Sequence, residues 1–144
     1  MLAQDCARTY RANAILTASP AQLVLVLYDG ALGSIAAARQ AFERPARDLS
    51  RFSVINRNLN KAHKILGHLQ SNLDFKAGEE FAQMMYRLYD YYRRRLLEAN
   101  VRKDVQPLIE VERLLTEVRD AWATMLRQQG SPVGEPETFS ARSA

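Results

Sequence analysis

Apolar residues recur at steps of three and four from Val24 through Leu27, Tyr28, Ala31, Ile35 and Ala38 to Phe42, the period of an α-helix with one face in a core. Leu25, Leu32 and Ala36 widen the stripe, and a helix apolar over so much of its circumference is expected in the middle of a bundle. Its start is written in Ser19-Pro20-Ala21-Gln22. Ser19 suits the N-cap, Pro20 the first helical position, where its missing N–H is harmless, and Gln22 stands three residues after the cap, able to bond back to it. Gly30 and Gly33 cost helix propensity but leave room for a close neighbour. Pro45 breaks the pattern.

Three more stripes follow. A second helix is expected from Asp48 or Ser50 to about Leu73, with Phe52, Ile55, Leu59, Ala62, Leu66, Leu69 and Leu73 inward. A third, from about Ala77 to Asn100, turns Phe81, Met85, Leu88, Tyr92, Leu96 and Ala99 inward. A fourth, from about Asp104 to Gln128, does so with Leu108, Val111, Leu115, Val118, Trp122 and Met125; Pro107 is tolerable because it falls in the first turn. Short connections between long helices favour antiparallel neighbours, so the expected fold is all-α, an antiparallel up-down four-helix bundle over residues 18–128. Residues 1–17 lack a long period and are expected to be a flexible arm. Residues 129–144, rich in Gly, Ser and Pro, are expected to be a disordered tail.

Composition narrows the function more than the fold. The chain has 144 residues, a formal charge of +4 and 47 % hydrophobic residues, enough for one self-sufficient domain. The charge raises nucleic acid as a partner, but the densest basic run, Arg93-Arg94-Arg95, fans out by roughly 100° per residue on a helix and makes no flat patch. The single cysteine, Cys6, allows no internal disulfide, which favours a reducing compartment. The N-terminus has no signal-peptide pattern, and the most apolar run, Leu23–Tyr28, is far short of the roughly 18 residues of a membrane span, so a cytoplasmic protein without membrane insertion is expected.

Candidate chemistry is sparse. His63 and His68 lie about 140° apart on a helix and do not form a metal pair, and no Glu-x-x-His motif for a di-metal bundle site occurs. No phosphate loop, nucleophile elbow or Cys-x-x-Cys is present, so neither enzyme activity nor a cofactor is expected. What remains is apolar surplus beyond the core stripes. Val54 and Ile65 share a second face of helix two with Asn58, Lys61, His68 and Asn72; Tyr86 and Tyr89 flank the stripe of helix three; Leu114 and Ala121 flank that of helix four. Singly, each suits the edge of a bundle. Together they read as an apolar groove for a partner's amphipathic helix. A homodimeric helical adaptor and a basic nucleic-acid-binding module are the competing readings.

Several segments resemble one family. Tyr10, Asn13, Thr17, Ser19-Pro20, Gln22 and Leu27-Tyr28-Asp29-Gly30 are similar to the opening signature of the FliS family. Lys61-Ala62, Ile65-Leu66, Asn72-Leu73-Asp74 and Gly78-Glu79 resemble its second helix and turn, and Leu88 through Asn100 with Lys103-Asp104-Val105 its third. Glu110-Val111, Leu114-Leu115 and Arg119-Asp120-Ala121-Trp122 resemble its last. The resemblance implies an export chaperone that binds the C-terminal region of flagellin in the cytoplasm, prevents premature polymerisation and assists delivery at the export gate protein FlhA. It also implies that Tyr10, matching the family's arm tyrosine, and Ile15 form a displaceable cap on the groove.

Overall fold

The computed structural model describes residues 19–129, which form α1 (Pro20–Phe42), α2 (Arg51–Ser71), α3 (Glu79–Arg102) and α4 (Val105–Gln129). No strand occurs among the described residues. The expected arm, with Tyr10 and Ile15, and all but the first residue of the expected tail lie outside them. Every helix boundary falls within about three residues of its expected place, the ordinary uncertainty of frayed ends.

The chain divides into two compact units, one of them Leu27–Glu117. This unit holds parts or all of all four helices, packed as in a bundle. Its core is Ala31, Ile35 and Ala38 of α1, Ile55, Leu59, Ala62 and Leu66 of α2, Met85, Tyr89, Tyr92 and Leu96 of α3, and Leu108, Val111 and Leu115 of α4, all buried. Helices α2 and α3 run antiparallel: Gln70 meets Tyr86, His63 meets Arg93, and Asn56 meets Lys103, so one helix ascends as the other descends.

The turns explain the boundaries. After Pro45, Asp48 Oδ1 accepts the backbone N–H of Ser50 at 3.0 Å and its hydroxyl at 2.8 Å, which opens α2. Asp74 Oδ1 accepts the N–H groups of Lys76 and Ala77 before α3. Between α3 and α4 the reversal takes two residues: Lys103 adopts the left-handed conformation (φ 52°) usually left to glycine. Its ammonium compensates by bonding Asn100 O, Asn100 Oδ1 and Asn56 Oδ1 at 2.6–2.8 Å.

Two expected core residues are on the surface. Phe52 and Phe81 are each about half exposed, at 50 % and 52 %. Both sit in the opening turn of their helix, where the inward position passes to a neighbour: Ala82 is buried beside Phe81, and Arg51 beside Phe52 reaches back to Phe42 O. Phe52 is covered instead by cations, with the Arg51 guanidinium 5.1 Å and the Lys103 ammonium 5.6 Å from its ring centre.

Helix α1 is apolar over a longer stretch than the run Leu23–Tyr28 suggested. It has 23 residues and a mean hydropathy of 1.5 over its most apolar stretch, long and apolar enough to cross a bilayer by length and composition. The uninterrupted run understates this, because Leu32, Ile35 and the alanines sustain the average beyond Tyr28. Its Ala31, Ser34, Ile35, Ala38 and Ala41 are buried, and the Tyr28 hydroxyl bonds that of Tyr89 at 2.7 Å, the wiring of a core helix.

The other unit, among described residues, comprises the start of α1 up to Val26 and α4 from Val118. Here the expected capping box forms: Gln22 N donates to Ser19 Oγ at 3.1 Å, and Ser19 N to Gln22 Oε1 at 3.0 Å. Trp122, expected in the core, is half-buried, because its indole N–H turns to the backbone oxygen of Ala21 at 2.8 Å.

Candidate functional site

Along α2 the buried stripe leaves two flanks. The flank toward α1 carries Val54, Asn58 and Ile65, all half-buried, with His68 exposed further along. Ile65 Cδ1 lies 3.5 Å from where a β-carbon on Gly30 would stand, so Gly30 lets α1 and α2 approach closely at this point. Gly33, one turn on, is exposed and would put its β-carbon in open space. Asn58 turns its amide inward along its own helix, Nδ2 donating to Val54 O at 2.9 Å. Lys61 and His68, both exposed, lie along the same side of the helix.

The remaining expected site residues scatter. Tyr86 is exposed on α3, its ring 6.3 Å from that of Phe75 in the α2–α3 turn. Leu114 is half-buried on α4, and Ala121, exposed, belongs to the other unit. Tyr89 requires correction: it is 3 % exposed and offers a partner no surface. It sits on the inward stripe between Met85 and Tyr92, and burial, the first cause, together with the Tyr28 bond pushes its phenol far above the usual 10.0. A tyrosine was legible as amphipathic, but its hydroxyl has a buried partner on α1 that spacing alone does not reveal.

Several exposed apolar residues escaped the sequence pattern. Leu97 and Val101 of α3 stand 52 % and 76 % exposed, and Met84 and Ile109 add to the apolar surface. An apolar groove of about 190 Å³ opens between α2 and α3, lined by Leu59, Leu96 and Leu97 with Asn60, His63 and Asn100.

The arginine run disperses, as helical geometry requires. Arg93 turns to Gln70 and His63 of α2, Arg94 pairs with Asp90 on its own helix, and Arg95 joins Glu98 and Glu110. Glu110 accepts Arg95 Nε at 2.7 Å and the Tyr91 hydroxyl at 2.9 Å, and these bonds, Arg95 foremost, hold its carboxyl below the usual 4.5. A depressed carboxyl stabilises the fold fully above about pH 4.5 and loses that contribution as the pH falls through its folded value. Glu110→Gln is therefore expected to flatten the acid limb of the stability–pH curve, measured by urea melts below that pH. An acid limb as steep as in the parent would contradict it.

Similarity to known proteins gives the family of the chain. Residues 3–129 match the family described as "Flagellar protein FliS". The chain belongs to the FliS family. It is 37 % identical to the flagellar secretion chaperone FliS of Bacillus subtilis over 129 residues, covering 90 % of this chain and 92 % of that one. Against the flagellar secretion chaperone FliS of Salmonella typhimurium the identity is 39 % over 113 residues, with 76 % and 78 % covered. The Escherichia coli protein of the same name is 36 % identical over 115 residues.

Proposed function

We propose that this protein is a flagellar export chaperone that binds the C-terminal segment of flagellin in the cytoplasm, prevents its premature polymerisation and assists its delivery to the export apparatus, with FlhA as the docking partner. Family membership over residues 3–129 carries the reading. It is supported by apolar residues outside the core on both flanks of α2, Val54 and Ile65 on one, Leu97 across the groove on the other. A segment that folds on binding loses chain entropy, so the contact must be extensive, roughly 2,000 Å² or more in total. Scattered site residues suit a client that wraps over several faces better than one confined to a single groove. The role is that of a binding protein, with no chemical step to assign.

Flagellin assembly followed by light scattering tests this reading. An equimolar amount of the protein is expected to suppress filament growth, and to do so still in moderate salt. Growth unaffected by the protein would contradict the proposal. Suppression lost on a small rise in salt would favour a phosphate-type electrostatic contact. The competing occupant of the same apolar surfaces, a second copy of this chain, would appear as a dimer that flagellin does not dissociate.

A further inference from the structure

Among the described helices α2 alone has no aspartate or glutamate, and its Arg51, Arg57, Lys61 and Lys64 match the formal charge of +4 of the whole chain. Arg57, Lys61, Lys64 and His68 follow one another at steps of four, three and four, all exposed, and so form one basic ridge. Neighbouring helices neutralise their arginines: Arg39, Arg94, Arg95 and Arg113 each meet a carboxylate. Arg57, Lys61 and Lys64 meet none among the described residues.

Lys64 and His68 of this ridge also border an open pocket of about 660 Å³, into which Arg93 reaches from α3. A β-carbon on Gly67 would stand 2.9 Å from Arg93 Nη2, so the glycine is what lets the guanidinium lie across α2. Only neutral groups hold it there. Nη1 donates to Gln70 Oε1 at 2.9 Å, and buried Gln70 is itself fixed by Nε2 donating to Tyr86 O at 3.1 Å. Nη2 donates to His63 Nδ1 at 3.4 Å, which puts the proton of a neutral His63 on Nε2 as a further donor. Arg93 Nε is buried with no hydrogen-bond partner, so the guanidinium keeps donor capacity unspent. Burial first, and then the Arg93 charge, hold His63 below its usual 6.5, as expected of a site with cations and no anion of its own.

We infer that this pocket binds a small molecule bearing linked phosphoryl groups, a diphosphate or triphosphate, with the Arg93 guanidinium and the Lys64 ammonium as its principal holds. Every lining residue but Gly67 carries a polar side chain, and none is acidic, which suits a phosphate compound and gives an apolar ligand nothing to bury against. The volume lies within the roughly 300–1,000 Å³ of small-molecule sites. Two cations and two imidazoles around one concavity exceed what a single carboxylate can satisfy, whereas adjoining phosphoryl groups offer several charges and acceptor oxygens. The ridge of Arg57 and Lys61 adds a positive field that gathers anions toward the pocket. The inference needs no polypeptide client and stands whether or not flagellin binds elsewhere on the bundle.

Inorganic pyrophosphate, inorganic phosphate, citrate and a single-stranded oligonucleotide, each titrated into the full-length protein at constant ionic strength, test this by calorimetry and amide NMR shifts. Pyrophosphate is expected to bind one to one, at least about tenfold more tightly than phosphate or citrate, and to shift the His63, Lys64 and Gly67 amides. Lys64→Gln, at an exposed position that leaves the fold intact, is expected to weaken pyrophosphate about tenfold. Gly67→Ala, whose β-carbon would displace the guanidinium, should weaken it as much, and Lys64→Gln carries the test should Gly67→Ala disturb α2. Arg113→Gln removes the same charge from α4, outside the pocket, and should leave the affinity unchanged. Absence of pyrophosphate binding, shifts confined to other residues, citrate bound as tightly, or equal losses in Lys64→Gln and Arg113→Gln would each overturn the inference. So would binding of the oligonucleotide without pyrophosphate, which would mark the ridge as a nucleic-acid surface.

Discussion

Ile65→Asp is expected to weaken flagellin binding some thirtyfold or more while leaving the protein folded, whereas Leu66→Asp, one residue on, should prevent folding. Leu66 is fully buried and Ile65 only half so, on the flank toward α1. A carboxylate placed at Leu66 would be buried on the core stripe of α2, between Ala62 and Leu69. Burial of an unpaired charge costs several kcal/mol, comparable with the roughly 5–15 kcal/mol that holds a domain folded. At Ile65 the same charge reaches water, costing about 1 kcal/mol in stability, but it sits where an apolar client would lie. Loss of one such anchor weakens binding by about 2 kcal/mol or more, some thirtyfold. Circular dichroism melts and calorimetry with flagellin separate the two; equal melting temperatures would contradict the division of α2 into core and binding faces.

The second large effect lies in the buried hydroxyl pair. Tyr28 Oη and Tyr89 Oη meet at 2.7 Å, 61 positions apart in sequence, and burial is the leading reason that both phenols are raised above 10.0. Tyr28→Phe leaves the Tyr89 hydroxyl buried without that bond, an expected loss of about 1–3 kcal/mol by denaturant melts. Adding Tyr89→Phe removes the stranded hydroxyl and should recover part of the loss, since residues in one hydrogen bond are not additive. A double variant as unstable as the sum of the singles would show that the two hydroxyls do not act as a pair.

These cases also show what was legible in the sequence. The α1 start was readable because Ser19, Pro20 and Gln22 act within one turn, and the same local chemistry placed the break at Pro45. The middle of each stripe was readable because Ile55, Leu59, Ala62 and Leu66 fix a phase over three turns. Phe52 and Phe81 were misread because a stripe extended into the first turn has no partner helix to confirm it. Tyr89, Gln70 and Arg93 depend on contacts 16 to 61 positions away, which helical spacing does not encode. His63 and His68 fit no metal pair by spacing, yet both line the open pocket beside Arg93, since a wide pocket gathers residues that do not share a face.

The most direct test of the central claim is calorimetric titration of the full-length protein with the flagellin of its own organism, intact and lacking its last helix. The account predicts a one-to-one complex with intact flagellin that persists in moderate salt, and no measurable heat with the truncated form. Equal binding of both forms, or none with either, would contradict it.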